Sequence, residues 1–108
     1  MLEKKEKDSI IRRFRLHRED TGSPEVQIAI LTREVELVSS HLKIHRKDNH
    51  SRRGLLKMVG NRRRLFRYLE DEDLDRAIKL AKRLGLQNLL RASQHQAHAA
   101  QADADAAV

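Results

Sequence analysis

Apolar residues recur along the chain at steps of three and four, and sustained β-branched alternation never occurs, so each patterned stretch predicts a helix. Pro24 is the only proline and glycine occurs four times, so few positions force a break. The pattern supports four helices. The first, over about residues 4–16, sets Ile10, Ile11 and Phe14 on one side, with Lys7 a turn earlier. That stripe is weak: it either packs through those three residues or leaves a mobile first helix that swings away.

The second helix has the clearest start. In DTGSPEVQ, Ser23 can cap free amides, Pro24 suits the first helical position, and Glu25 complements the positive end of the dipole. The helix runs to about Ile44, with Ile28, Leu31, Val35, Val38 and Leu42 on one stripe and Val26, Ile30, Leu37 and Ile44 on its neighbour. Two stripes predict contact with more than one other helix. After the turn HRKDNH, a third helix starts at or near Ser51 and reaches about Glu70. Projected at 100° per residue, Leu55, Met58, Val59, Leu65, Phe66 and Leu69 share one side. Arg53, Lys57, Gly60, Arg64 and Arg67 share the other, where Gly60 suggests a close approach. Asp71, Glu72 and Asp73 then read as an acidic start to a fourth helix carrying Leu74, Ala77, Ile78, Ala81 and Leu84, stopped by Gly85. The fold class is therefore all-α: four helices in an antiparallel helical bundle, with a mobile first helix and a C-terminal tail. Residues 1–87 form the helical domain, and 88–108, poor in large apolar residues, form an extension that is disordered or only partly helical.

Charge sharpens this picture. The net charge is +7 and the pI near 10.2, the balance of a protein that meets a polyanion. Between residues 41 and 67 ten Lys or Arg stand against one acid, Asp48. A solvated helix face would have acids interspersed at three- and four-residue spacing, and Arg62, Arg63 and Arg64 have none nearby.

Other chemistry is scarce. No cysteine occurs, so neither a disulfide framework nor a thiolate site is available and nothing asks for an oxidising compartment. The opening MLEKKEKDSIIRRF carries charges from its third residue and has no long apolar run, so neither a signal peptide nor a membrane span is expected there. His41 and His45 stand four apart on a helix, but no carboxylate lies between them and cations surround them, so no metal and no cofactor are expected. Both, with His50, read better as surface histidines beside phosphate. Acidic pairs at Glu19 and Asp20 and in the EDED run are explained by turns and caps, and no acid–base pair suggests an enzyme.

Asp48 is the anomaly, since phosphate repels a carboxylate. Two uses fit it: capping the third helix, or accepting from the exocyclic amine of guanine in the wide minor groove of A-form RNA, with Ser51 and His41 beside it. The two are compatible.

The segments DTGSPEVQIAILT, HLKIHRKDNHSRRGLLKMVGNRRRLFRYL and KRLGL closely resemble the bacterial small-subunit ribosomal protein fifteen family, over about residues 4–87 and at matching spacing. The resemblance implies a four-helix cytoplasmic protein of the ribosome that binds the central domain of small-subunit rRNA early in assembly. It implies contacts at a three-way junction and at a nearby G-U/G-C step in the minor groove. Neighbouring ribosomal proteins of the central domain and the large subunit at the interface are its implied partners, and no membrane is. Carried over by position, His41, Asp48 and Ser51 match the minor-groove contacts, and Thr21, Gly22, Gln27 and Tyr68 match the junction contacts. The helical projection adds Arg53, Lys57, Arg64 and Arg67 as phosphate contacts. Asn49 stands where many relatives have His, and residues after Gln87 inherit nothing from the resemblance.

Two rivals compete. A DNA-binding helical regulator or nucleoid protein would lay the third helix in a major groove and bind duplex DNA well. A helical adaptor for an acidic protein would bind its partner after ribonuclease treatment.

Overall fold

The computed structural model describes residues 2–91. The chain is all-α, with α1 at Lys4–Phe14, α2 at Pro24–Ile44, α3 at Asn49–Glu72 and α4 at Leu74–Leu84, followed by a 3-10 turn at Gln87–Leu89. The tail expected from residue 88 onward lies outside the described residues from residue 92. The chain divides into two compact units at residue 65, within α3, and each is considered by itself.

In the first unit, α2 and the leading part of α3 form an antiparallel hairpin. His41 meets Asp48 at its closed end, and Arg62 Nη1 reaches Thr32 Oγ1 at 3.5 Å farther along. The α1 helix packs on α2 through buried Ile10 and Phe14, with Ile11 half-buried. Burial of a side chain such as Phe14 stabilises by about 2–3 kcal/mol. An ion pair from Glu6 to Arg33, which also holds Glu36 at 3.1 Å, ties the two helices at their surface. The first helix is thus docked rather than swung away.

Several boundaries differ from the sequence expectation. α1 stops at Phe14 because Arg15 is extended (φ −61°, ψ 145°) and its N–H closes on Ile11. The next amide, Leu16, turns to the Asp20 carboxylate instead of continuing the helix. α3 starts at Asn49, before Ser51, because Asp48 takes the cap position and accepts from Ser51 N at 3.0 Å. It also runs on to Glu72, so Asp71 and Glu72 end α3 and Asp73 is the residue that caps α4, accepting from Arg76 N.

The stripes of α2 also need correcting. Val26, Ile28, Ala29, Val38 and Leu42 are buried, joined by Thr32, whose hydroxyl is satisfied by donating to Ile28 O at 2.8 Å. Ile44, assigned to the second stripe, is 79% exposed at the end of the helix, where nothing packs over it. Leu31 and Val35 are only half-buried, as are Leu55, Met58, Val59 and Leu65 on α3. Gly60 makes no close approach to another element: a Cβ there would meet Arg64 Nη2 at 3.5 Å.

The second unit is built on Phe66 and Leu69 from the end of α3 and on Ala77, Leu80 and Ala81 from α4, all buried. Gly85 ends α4 in the left-handed region (φ 68°), where its N–H and that of Leu86 turn back to the last carbonyls. Leu90 is buried as well, and the Arg91 backbone N–H donates to Glu70 while its guanidinium pairs with Asp71 at 3.1 Å.

Candidate nucleic-acid interface

Two polar clusters stand at the ends of α2, both in the first unit. The 21 residues of that helix separate them by about 30 Å.

At the hairpin end, the Asp48 carboxylate collects three hydrogen bonds. Ser51 N donates to Oδ1 at 3.0 Å, Ser51 Oγ donates to Oδ2 at 2.6 Å, and His41 Nε2 lies 2.9 Å from Oδ2. The bonds from Ser51, reinforced by His41, hold this carboxyl far below the usual carboxylate range, so it is an anion throughout the physiological window. A carboxylate offers about four lone-pair directions, which leaves about one for an outside donor. The His45 ring stacks against His41, centroids 4.5 Å apart and tilted by 32°. Arg52 Nη2 donates to Arg46 O at 2.7 Å, fixing the loop. His41, Ile44, His45, Arg46, Lys47 and Asp48 line a shallow concavity that is open to solvent. The structure thus brings His41, His45, Asp48 and Ser51 together, and the capping role of Asp48 is visible in its bond from Ser51 N.

At the other end is the turn before α2. Ser23 Oγ accepts from Val26 N at 3.4 Å and Pro24 occupies the first helical position. Gln27 folds back so that Nε2 donates to Gly22 O at 2.6 Å, which joins Gln27 and Gly22 in one cluster. Thr21 and Gly22 are exposed, and space around Gly22 is open. Beneath them lies a residue outside the candidate contacts named from the sequence. Asp20, 7% exposed, accepts from Leu16 N at 2.9 Å, Gly22 N at 3.1 Å and Ser23 N at 2.8 Å. Burial pushes this carboxyl up, but the bonds from Ser23, Leu16 and Gly22 together outweigh it and hold it at about 2. The signal in the sequence was an Asp two and three residues ahead of Gly22 and Ser23, the spacing at which an Asx side chain closes on backbone amides.

Along α3, Arg53, Lys57 and Arg64 are exposed on the first unit, and Arg64 Nε lies 3.4 Å from Gly60 O. Arg62 differs from its neighbours. It faces α2, half-buried, and desolvation lowers its pKa while Glu36 partly offsets the effect. In the second unit Arg67 is exposed, and Tyr68 is exposed with its hydroxyl bonded to Glu72, which raises its pKa. Among the described residues no group of three potential ligands is placed to hold a metal ion, and no helix is long and apolar enough to cross a membrane.

Fold and surface together define a small all-α protein with a cationic helical hairpin and two ordered polar tips. Residues 7–87 match the family described as Ribosomal protein S15, and the chain belongs to that family. It is similar to "Small ribosomal subunit protein uS15" of Dictyoglomus thermophilum, with 55% identity over 85 residues, 79% of this chain and 96% of that protein. The proteins of the same name from Anoxybacillus flavithermus and Staphylococcus carnosus are each 54% identical over the same shares.

Proposed function

We propose that this protein is a structural constituent of the small ribosomal subunit that binds small-subunit rRNA at two places at once and thereby fixes the angle between RNA helices. Its role is structural rather than catalytic, as befits a family of ribosomal components, and it works in the cytoplasm within the ribosome.

One tip takes a three-way junction of the central domain through Thr21, Gly22 and Gln27. The other takes a G-U/G-C step in the minor groove through His41, Asp48 and Ser51. Arg53, Lys57 and Arg64 on α3 meet phosphates, with His45 beside the second tip. On the last turns of α3, Arg67 is a further phosphate contact and Tyr68 a junction contact. Residues 1–87 carry these contacts and 88–108 extend beyond them. Neighbouring proteins of the central domain and the large subunit at the interface complete the set of partners.

The observation that carries this reading is the pair of pre-ordered polar clusters held about 30 Å apart by one unbroken 21-residue helix. Each cluster is built around a carboxylate that collects several hydrogen bonds, so neither needs ordering when RNA arrives. Filter binding of a junction RNA, the same RNA with its G-U/G-C step replaced, and duplex DNA of equal length, at two salt concentrations, tests it. The first is expected to bind tightest at both salts. Equal competition by duplex DNA would favour a DNA-binding protein instead.

A further inference from the structure

Asp20 is where two separate pieces of backbone meet on one planar group. Its Oδ2 accepts from Leu16 N, just beyond α1, and its Oδ1 accepts from Gly22 N and Ser23 N, in the turn before α2. Asp20 is 7% exposed as a residue and both of its oxygens are taken up by backbone amides, so it acts through the residues it orders. Leu16 itself follows a helix pinned to α2 by Ile10, Phe14 and the Glu6–Arg33 pair. Building on the RNA-binding reading of this turn, we propose that Asp20 is a positioning residue: it holds Thr21 and Gly22 in their RNA-receiving shape and makes that shape depend on docked α1.

Two substitutions separate the two halves of this role. Asp20→Ala removes every acceptor. Asp20→Asn keeps one carbonyl oxygen but replaces the other with an amino group. With its carbonyl toward Gly22 and Ser23, that amino group faces the Leu16 N–H, donor against donor, so the link to α1 breaks while the turn stays closed.

The test titrates full-length wild type and both variants with two RNAs, one carrying junction and minor-groove step together and one a hairpin with the step alone. Helicity is followed by circular dichroism and amide exchange by NMR. Asp20→Ala is expected to lower affinity for the junction RNA about tenfold and to leave the hairpin RNA unchanged. Asp20→Asn should give a smaller loss confined to the junction RNA, with faster exchange at the Leu16 amide than in wild type. Where Asp20→Ala loses helicity, Asp20→Asn carries the test. Equal losses on both RNAs at full helicity, or unchanged binding to the junction RNA, would overturn the proposal. Wild type that binds both RNAs equally would instead overturn the junction role of the turn itself, a result recognisable before any variant is made.

Discussion

His41 Nε2 lies 2.9 Å from Asp48 Oδ2, joining the last turn of α2 to the residue that caps α3. The bond crosses the closed end of the hairpin, so the tip's shape is set before any ligand arrives. Asp48→Ala should lower stability by about 1 kcal/mol through the lost cap, read in a denaturant titration. The same variant should bind cognate junction RNA about tenfold more weakly while binding nonspecific RNA equally or more tightly, because a repulsive charge is gone. An equal gain on both RNAs in filter binding would remove the minor-groove role.

Arg64 is the contrasting case. It is exposed on α3 and its Nε lies 3.4 Å from Gly60 O on its own helix. Arg64→Ala should weaken cognate and nonspecific RNA alike, and the slope of log affinity against log salt should become shallower by about one. A loss confined to the cognate RNA would assign it to base recognition instead.

Phe14 anchors the first helix. It is buried, and the Arg13 guanidinium lies 5.6 Å from its ring centroid. Phe14→Ala should destabilise by about 3–5 kcal/mol if α1 unfolds with the core, and by less if α1 simply undocks. Amide exchange in α1 distinguishes the two outcomes, since undocking raises exchange there while leaving α2 protected.

Asp20 makes part of the stability acid-sensitive. Its carboxyl is lowered from 3.8 to about 2 in the folded protein, so its contribution is fully present above about pH 4 and is lost as pH falls toward 2. The melting-temperature difference between wild type and Asp20→Asn should therefore be constant near neutrality and shrink below about pH 4. A difference that stays constant to pH 2 would show that the charge contributes nothing.

Gly85 stops α4 at φ 68° in open space, so a side chain there meets no neighbour and only backbone strain opposes it. Gly85→Ala should cost about 1–2 kcal/mol in thermal unfolding, and an unchanged melt would mean that the cap relaxes.

How much of this was legible in the sequence depended on the range of the forces involved. Ser23, Pro24 and Gly85 act within one helical turn, and each marked its boundary correctly. Asp71 and Glu72 misled because helix-start chemistry says nothing of how far the preceding helix persists, and α3 carried both. Ile44 left its expected stripe, and Thr32, which stands on neither stripe, is buried, because burial in a hairpin depends on what lies opposite. Thr32 faces Arg62 across the seam, while Ile44 projects past the end of the packing. At the candidate site, residue identity was visible but geometry was not. Asp48 could be read as cap or as contact, and only its bonds to Ser51 and His41 showed the cap. Asp20 passed as an ordinary turn carboxylate because its third donor, Leu16, comes from the far side of a helix end that the periodicity did not place.

The most direct test of two-point anchoring varies the RNA. A series of junction RNAs is made with base pairs inserted between the junction and the G-U/G-C step, and affinity is measured by filter binding at fixed salt. A rigid helix of about 30 Å should accept one spacing and lose about a hundredfold or more at the others, falling to the affinity of either tip by itself. Affinity that is indifferent to the inserted length would contradict simultaneous recognition by the two tips.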